Sequence, residues 1–319
     1  MSTGERQPGW IDVYPFSGRD LSIVNTGDRF SINPELAKFI EENWRPKAEK
    51  GWSSSWVAFA KEVVFDSDKV AIKAGAMPFH VIDGIDKAIE EKKPFAPSCG
   101  FVNCLSVGFV TATSDNNIIF QRRGPDVHVP NTMIQEPCGY MASLMFSPRE
   151  NCDNPQYADD KRLFDIVFQL EARKKQLTEA FGVDPREITY DPLQDFLAAG
   201  WLSTEMYFST TGRVEVESTD LRIPARTEIL FVPFDELRYL IANQGKLAKI
   251  DRADYKPNDP RQIPLIDESL LGLLYGYKKL TGDNSLDIEE VIDRLNYDGL
   301  NIRVFDTGSG KKYQFPTSF

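Results

Sequence analysis

Two arginines, a cysteine and a set of glutamates are the parts of this 319-residue chain that could do chemistry. Arg122 and Arg123 close an apolar stretch and face a predicted cleft. A guanidinium presents a planar fork of donors that takes two phosphate oxygens together, so the pair suits a phosphorylated ligand. The plainer reading is a charged strand end in water. Cys138, ahead of Gly139 and Tyr140, could act as an acid or base if its thiol pKa were lowered. A small buried thiol is the plainer reading there. Glu171, Lys175 and Glu179 recur every four residues, so on a helix they share one face. Glu171 can pair with Lys175, and Glu179 can simply be solvated. His80 and His128 are too few for a histidine metal cage, and His128 reads as a loop residue within reach of a ligand.

Hydrophobic periodicity predicts the elements that would hold these groups. Asn33-Pro34 reads as an N-cap followed by proline at the first helical position, with Leu36, Phe39, Ile40 and Trp44 at helical spacing. Trp56 to Ile72 suggests strands, and Val81 to Lys92 a second helix that ends ahead of Pro94. Val102 to Thr113 is apolar and β-branched, a buried strand; Ser114 to Asn117 is turn chemistry; Ile118-Ile119-Phe120 is the returning strand. Asp126 to Gly139 reads as a loop, and Tyr140 to Asp160 as a loop or insertion. A helix is predicted over Lys161 to Phe181, with Leu163, Val167, Leu170, Leu177 and Phe181 on one stripe and Gly182 as its stop. Strands follow over Glu205 to Phe208, Arg213 to Val216 and Glu228 to Val232. Asp235 is read as an N-cap, and further helices as covering Ser269 to Thr281 and Ile288 to Leu295. There is no internal repeat.

Composition narrows the function classes. The chain carries 37 basic and 48 acidic residues, a formal charge of −11, and no basic run longer than two. Such a surface repels nucleic-acid backbones and anionic membranes. No apolar run reaches the ~20 residues of a membrane span, and Met1 to Pro15 has no apolar core of the secretory kind. The four cysteines lack the paired spacing of a zinc site. These features predict a cytoplasmic protein with reduced thiols, free or as a homodimer, and with neither nucleic acid nor membrane as partner.

The middle of the chain resembles the Nudix hydrolase superfamily. Val107 to Thr111, Asp115 and Ile118 to Arg123 look like that family's opening hairpin; Pro137-Cys138-Gly139 looks like the turn where it usually has Pro-x-Gly-Gly; Phe231 to Leu237 looks like its late strand entering a helix. The family's box runs from a glycine through a first glutamate to an Arg-Glu pair, an apolar residue, a Glu-Glu pair and a closing Gly-apolar pair. Here Lys175 to Val183 matches its second half at Leu177, Glu179, Gly182 and Val183. Lys175 replaces the arginine, and Gln176 and Ala180 replace two glutamates. The span from Gly139 to Lys175 exceeds the family's by about 22 residues.

The resemblance implies an α/β fold, a Nudix-type α/β/α sandwich with a mixed sheet. It would occupy 98–245, with an N-terminal α+β extension over 1–97 and C-terminal helices over 246–319 packed on the core. It also implies a divergent, metal-assisted hydrolase of a nucleoside diphosphate linked to another moiety. Glu179 and Glu171 would be metal ligands for Mg²⁺ or Mn²⁺, which want oxygen donors. Glu179, Gln176 and Glu171 would be catalytic, and Arg122, Arg123, Gly139 and Lys175 would bind substrate, Lys175 bracing the loop. With two box glutamates missing, Glu136, Glu205, Glu215 or Glu228 could supply further oxygen, or the substrate could bring the metal with it. The alternatives are a non-catalytic ligand-binding or regulatory protein on the same fold, or a structural subunit of a complex. In the isomerases that share this fold a Cys-Gly-His turn is catalytic; Cys138-Gly139-Tyr140 lacks the histidine.

Overall fold

Every residue from Cys104 to Thr113 is buried, as expected of a strand covered on both faces. The computed structural model describes residues 10–51, 54–97, 102–124, 132–142, 155–200, 205–224, 228–247 and 259–318. The first segment supplies β1 (Ile11–Pro15), β2 (Asp20–Arg29), α1 (Pro34–Glu49), β3 (Trp56–Phe65), β4 (Lys69–Pro78) and α2 (Phe79–Glu90). Next come β5 (Cys104–Thr113), β6 (Asn117–Arg122), β7 (Met133–Gln135), β8 (Cys138–Tyr140), α3 (Ile166–Phe181), β9 (Ile188–Tyr190), β10 (Phe196–Ala199), β11 (Glu205–Val214), β12 (Glu228–Pro233) and α4 (Leu237–Leu247). The chain ends with α5 (Asp267–Thr281), α6 (Ile288–Asp298), β13 (Ile302–Val304) and β14 (Lys311–Gln314).

Among the described residues the strands form one mixed sheet in the order β13-β1-β10-β11-β5-β3-β4-β2. β6 pairs with β5, β7 and β12, β8 pairs with β5, and β14 pairs with β3. β5 and β11 run parallel through ten residue pairs, from Cys104 opposite Glu205 to Thr113 opposite Val214. The N-terminal segment shares this sheet, since β3 pairs with β5 and β1 with β10.

The pleat of β5 sorts its side chains into two cores. Leu105, Val107 and Phe109 pack with Leu170, Leu177 and Phe181 of α3. Val110 and Ala112 pack with Leu270, Leu271 and Leu274 of α5. Cys104 joins a third cluster, with Leu36 and Ile40 of α1 and Ile82 and Ile85 of α2. Helices therefore cover both faces of the sheet, which bears out the α/β expectation with a mixed sheet.

Local signals placed most elements. Asn33 accepts the Leu36 amide and Pro34 opens α1, as the cap chemistry predicts. Gly182 ends α3 at φ 70°, in the left-handed region. Other expectations need correction. The helix read from Lys161 is a short 3-10 turn over Lys161–Phe164 and then α3, because Asp160 and Asp165 each cap a separate start. Val167 leaves the predicted stripe and is 64% exposed. The buried face runs instead through Gln169, Leu170, Ala172, Arg173, Leu177 and Phe181. The strand expected at Arg213 is the end of β11, held on by β5 along its whole length. The loop predicted up to Gly139 contains β7 and the start of β8. The C-terminal portion, expected to be helical, also adds β13 beside β1 and β14 beside β3. β1, β9, β10, β13 and β14 were not predicted, being too short to show alternation over several residues, and neither was the ten-residue β2, which has no buried position to mark it. His128, Cys99 and Cys152 lie outside the described residues.

Candidate functional site, a carboxylate-rich cleft

The site is organised by one buried arginine. Arg173, on the inner face of α3, is 5% exposed. Its Nη2 donates to the Tyr140 carbonyl at 2.7 Å, and its Nη1 donates to the Cys138 carbonyl at 3.2 Å. Nη1 also donates to Gln176 Oε1 at 2.9 Å, and Gln176 Nε2 donates to Glu136 Oε1 at 3.2 Å. A chain of hydrogen bonds thus ties helix α3 to the turn that links β7 and β8. Gly139, at φ 149°, is required there: a Cβ would sit 3.0 Å from Arg173 Nη1.

Next to that turn lies a cavity of about 340 Å³, within the ~300–1,000 Å³ of small-molecule sites. Four carboxylates line it: Asp83 and Asp86 from α2, Glu205 from β11 and Glu268 from the first turn of α5. Arg123 is its one lining cation among the described residues, and Cys138, Gly139 and Tyr140 form a wall. Phe79, Ile82, Ile134 and Ile266 supply the apolar surface. A second, more open cavity of about 400 Å³ shares Phe79 and Tyr140 and is lined by Arg173 and Gln176.

Burial and the charges of neighbouring acids hold Asp86 and Glu268 toward their protonated forms. Burial first, then Asp83, Glu205 and Glu90, pushes Asp86 up to about 8. Burial pushes Glu136 up to about 7 against the pull of Arg173 and Gln176. Glu268 goes well above the usual carboxylate range, by burial and then by Glu205 and Asp267. Clefts with several such groups are where functional sites concentrate. The same surroundings raise the Cys138 thiol, by burial and then by Glu268 and Glu136. A reactive thiolate needs the opposite shift, so the surroundings of the half-buried Cys138 favour an inert thiol.

The residues singled out from the sequence separate into two groups. Gln176, Gly139 and Arg123 sit at the turn and cleft. Glu171, Lys175 and Glu179 lie on the outer face of α3. Lys175 and Glu179 pair at 3.6 Å with both side chains more than half exposed, and Glu171 accepts a 2.6 Å bond from the Tyr190 hydroxyl. Arg122 pairs with Glu228 at 3.2 Å. The bracing assigned to Lys175 belongs to Arg173, two residues earlier, because α3 turns that side chain inward. Among the described residues no group of three or more His, Cys, Asp or Glu side chains is arranged to hold a metal ion. The helix residues expected to carry Mg²⁺ or Mn²⁺, Glu171 and Glu179, do not fit one: both face outward, Glu171 toward the Tyr190 hydroxyl and Glu179 in a pair with Lys175. Exchange of Glu179 for glutamine is accordingly expected to change stability by less than about 0.5 kcal/mol, measured by urea denaturation. A larger loss would show that its carboxylate serves more than a surface pair.

Arg173, Asp86 and Glu268 were not singled out from the sequence. Arg173 had a signal, since it falls three residues after Leu170 and four before Leu177, on the apolar face. Asp86 and Glu268 each border apolar runs, which also describes many surface acids.

No family model matches the chain, and no curated protein matches it. Among solved structures it is similar to the crystal structure of RenU, a Nudix hydrolase from M. smegmatis, with 14% sequence identity and a TM-score of 0.27. That alignment covers 56% of this chain and 83% of the other. A likeness of this size leaves fold and activity to be argued from the chain's own geometry.

Proposed function

We propose that this is a small-molecule-binding protein on a Nudix-like α/β scaffold, with the carboxylate-lined cleft as its binding site. The observation that carries the reading is the fate of the box positions on α3. Gln176 is tied into the bracing of the turn, and Glu179 pairs with Lys175 in solvent. A diphosphate has no cation clamp on that helix, whereas the cleft beside it combines charge, apolar walls and a small-molecule volume. The test is a thermal-shift screen of small metabolites against the wild type and Ile134→Trp, which fills the cleft from its wall. At least one compound should stabilise the wild type and lose its effect in the variant. A screen with no compound that distinguishes the two proteins would refute the site.

A second reading keeps the hydrolase, acting on a nucleoside diphosphate linked to another moiety. It is favoured by Glu136, a carboxyl held near neutrality beside the Pro137 to Gly139 turn, and by Arg123 in the cleft. A group that titrates near the working pH can move a proton in either direction. This reading predicts monophosphate release from a diphosphate panel with Mg²⁺ or Mn²⁺ present, abolished by Glu136→Gln. Ligand binding without turnover across the panel would exclude it.

A further inference from the structure

We propose that the cleft selects a zwitterionic small molecule, with an ammonium or guanidinium at one end and an acidic group at the other; this rests on the cleft being the binding site. Three observations carry it. Glu268 is 2% exposed and lines the cleft. Its hydrogen bonds, from Ser106 Oγ and Gln135 Nε2, are both 3.4 Å long and both fall on Oε1. Among the described residues nothing bonds Oε2, which is left for a ligand. Asp86 lines the same space and makes no ion pair or hydrogen bond among the described residues, while its neighbour Asp83 is taken by Lys47 at 2.7 Å. Arg123 also lines the cleft, and its guanidinium makes no ion pair among the described residues.

The cleft therefore presents a cation and two acids that do not neutralise each other. In the empty cleft burial favours the protonated acids, and a cation that enters to pair them stabilises their ionised forms. A metal ion would use only the acids and would be repelled by Arg123. A simple anion would use only Arg123 and would leave both acids without a partner. A molecule with both charges pairs all of them, and its linker can lie against Phe79, Ile134 and Ile266. The rings of Phe79 and Tyr140 add an attractive surface for the cationic end.

The experiment is calorimetric titration of the full chain at pH 8 with ω-amino acids from 3-aminopropanoate to 6-aminohexanoate. Alkylamines and alkanoates of matched length serve as the comparison. At least one ω-amino acid should bind about ten-fold more tightly than both its amine and its carboxylate. Arg123→Gln should remove the advantage over the amine, and Glu268→Gln the advantage over the carboxylate. Asp86→Asn is the second acid variant, used if Glu268→Gln does not fold. An amine that binds as tightly as its ω-amino acid overturns the proposal, as does an advantage untouched by Arg123→Gln. Binding of Mg²⁺ or Mn²⁺ alone that is lost in Glu268→Gln overturns it in favour of a metal site. Silence from the whole series, beside a metabolite hit that Ile134→Trp blocks, overturns the zwitterion and keeps the cleft as a binding site. Silence in both experiments removes both.

Discussion

Asp86→Asn is expected to stabilise the protein at pH 8.5 and to leave it unchanged at pH 4. Folding moves this carboxyl from 3.8 to about 8, by burial and then by the charges of Asp83, Glu205 and Glu90. The unfolded chain therefore releases the proton first as pH rises. Stability tied to the protonated group is fully present below about pH 4 and is lost between there and about pH 8. Asparagine cannot ionise and escapes that loss. The full difference corresponds to an upper bound of ~6 kcal/mol, and half of it would raise Tm by roughly 5 °C. Glu136 and Glu268 titrate in the same direction, and Lys47, Arg123 and Arg173 supply the nearby positive charge. These groups are common to both proteins, so the difference between the two pH profiles isolates Asp86. The measurement is a pair of melting curves at each pH. Equal Tm values at pH 8.5 would show that Asp86 is not held in a repulsive, desolvated position. A zwitterionic ligand should narrow the gap, because its cation stabilises the ionised aspartate.

Arg173→Ala is expected to lower stability by about 3–5 kcal/mol, the usual consequence of removing one partner from a buried charged network. The substitution leaves the Cys138 and Tyr140 carbonyls without their donors. It also frees Gln176 and removes the cation that offsets Glu136. Urea denaturation reads the loss, and ligand binding should fall with it because the turn forms a wall of the cleft. Arg173→Lys should recover little, since one ammonium cannot reach two carbonyls and an amide in the geometry of a fork. A loss below about 1 kcal/mol would mean that the turn is held by its β5 pairing alone. In contrast, Lys175 carries the charge that the box alignment marks and should tolerate substitution, since it is an exposed member of a surface pair.

Much of the scaffold was legible in the chain because its signals are short-range. Asn33 and Gly182 act within one helical turn, and the apolar run of β5 announces a doubly covered strand wherever it lies. The same reasoning failed where rotation about a helix axis decided the outcome. Val167 lay on the predicted stripe, and Arg173, although spaced with Leu170 and Leu177, carries a charge that argues for solvent. Arg173 faces in because the β8 carbonyls need donors, and Val167 is thereby turned to water.

Composition, caps and hydrophobic period settled the helices, the long buried strands and the layered α/β class, since each depends on residues only a few positions apart. The cleft was settled by long-range pairing. Asp86, Arg123, Cys138, Glu205 and Glu268 come from five separate segments, and they converge because β11 lies along β5 with Glu205 opposite Cys104 while α2 and α5 bring in Asp86 and Glu268. No spacing in the chain encodes such a meeting. The burial that raises the proton affinity of Asp86 and Glu268 exists only after the sheet and its helices have closed around them.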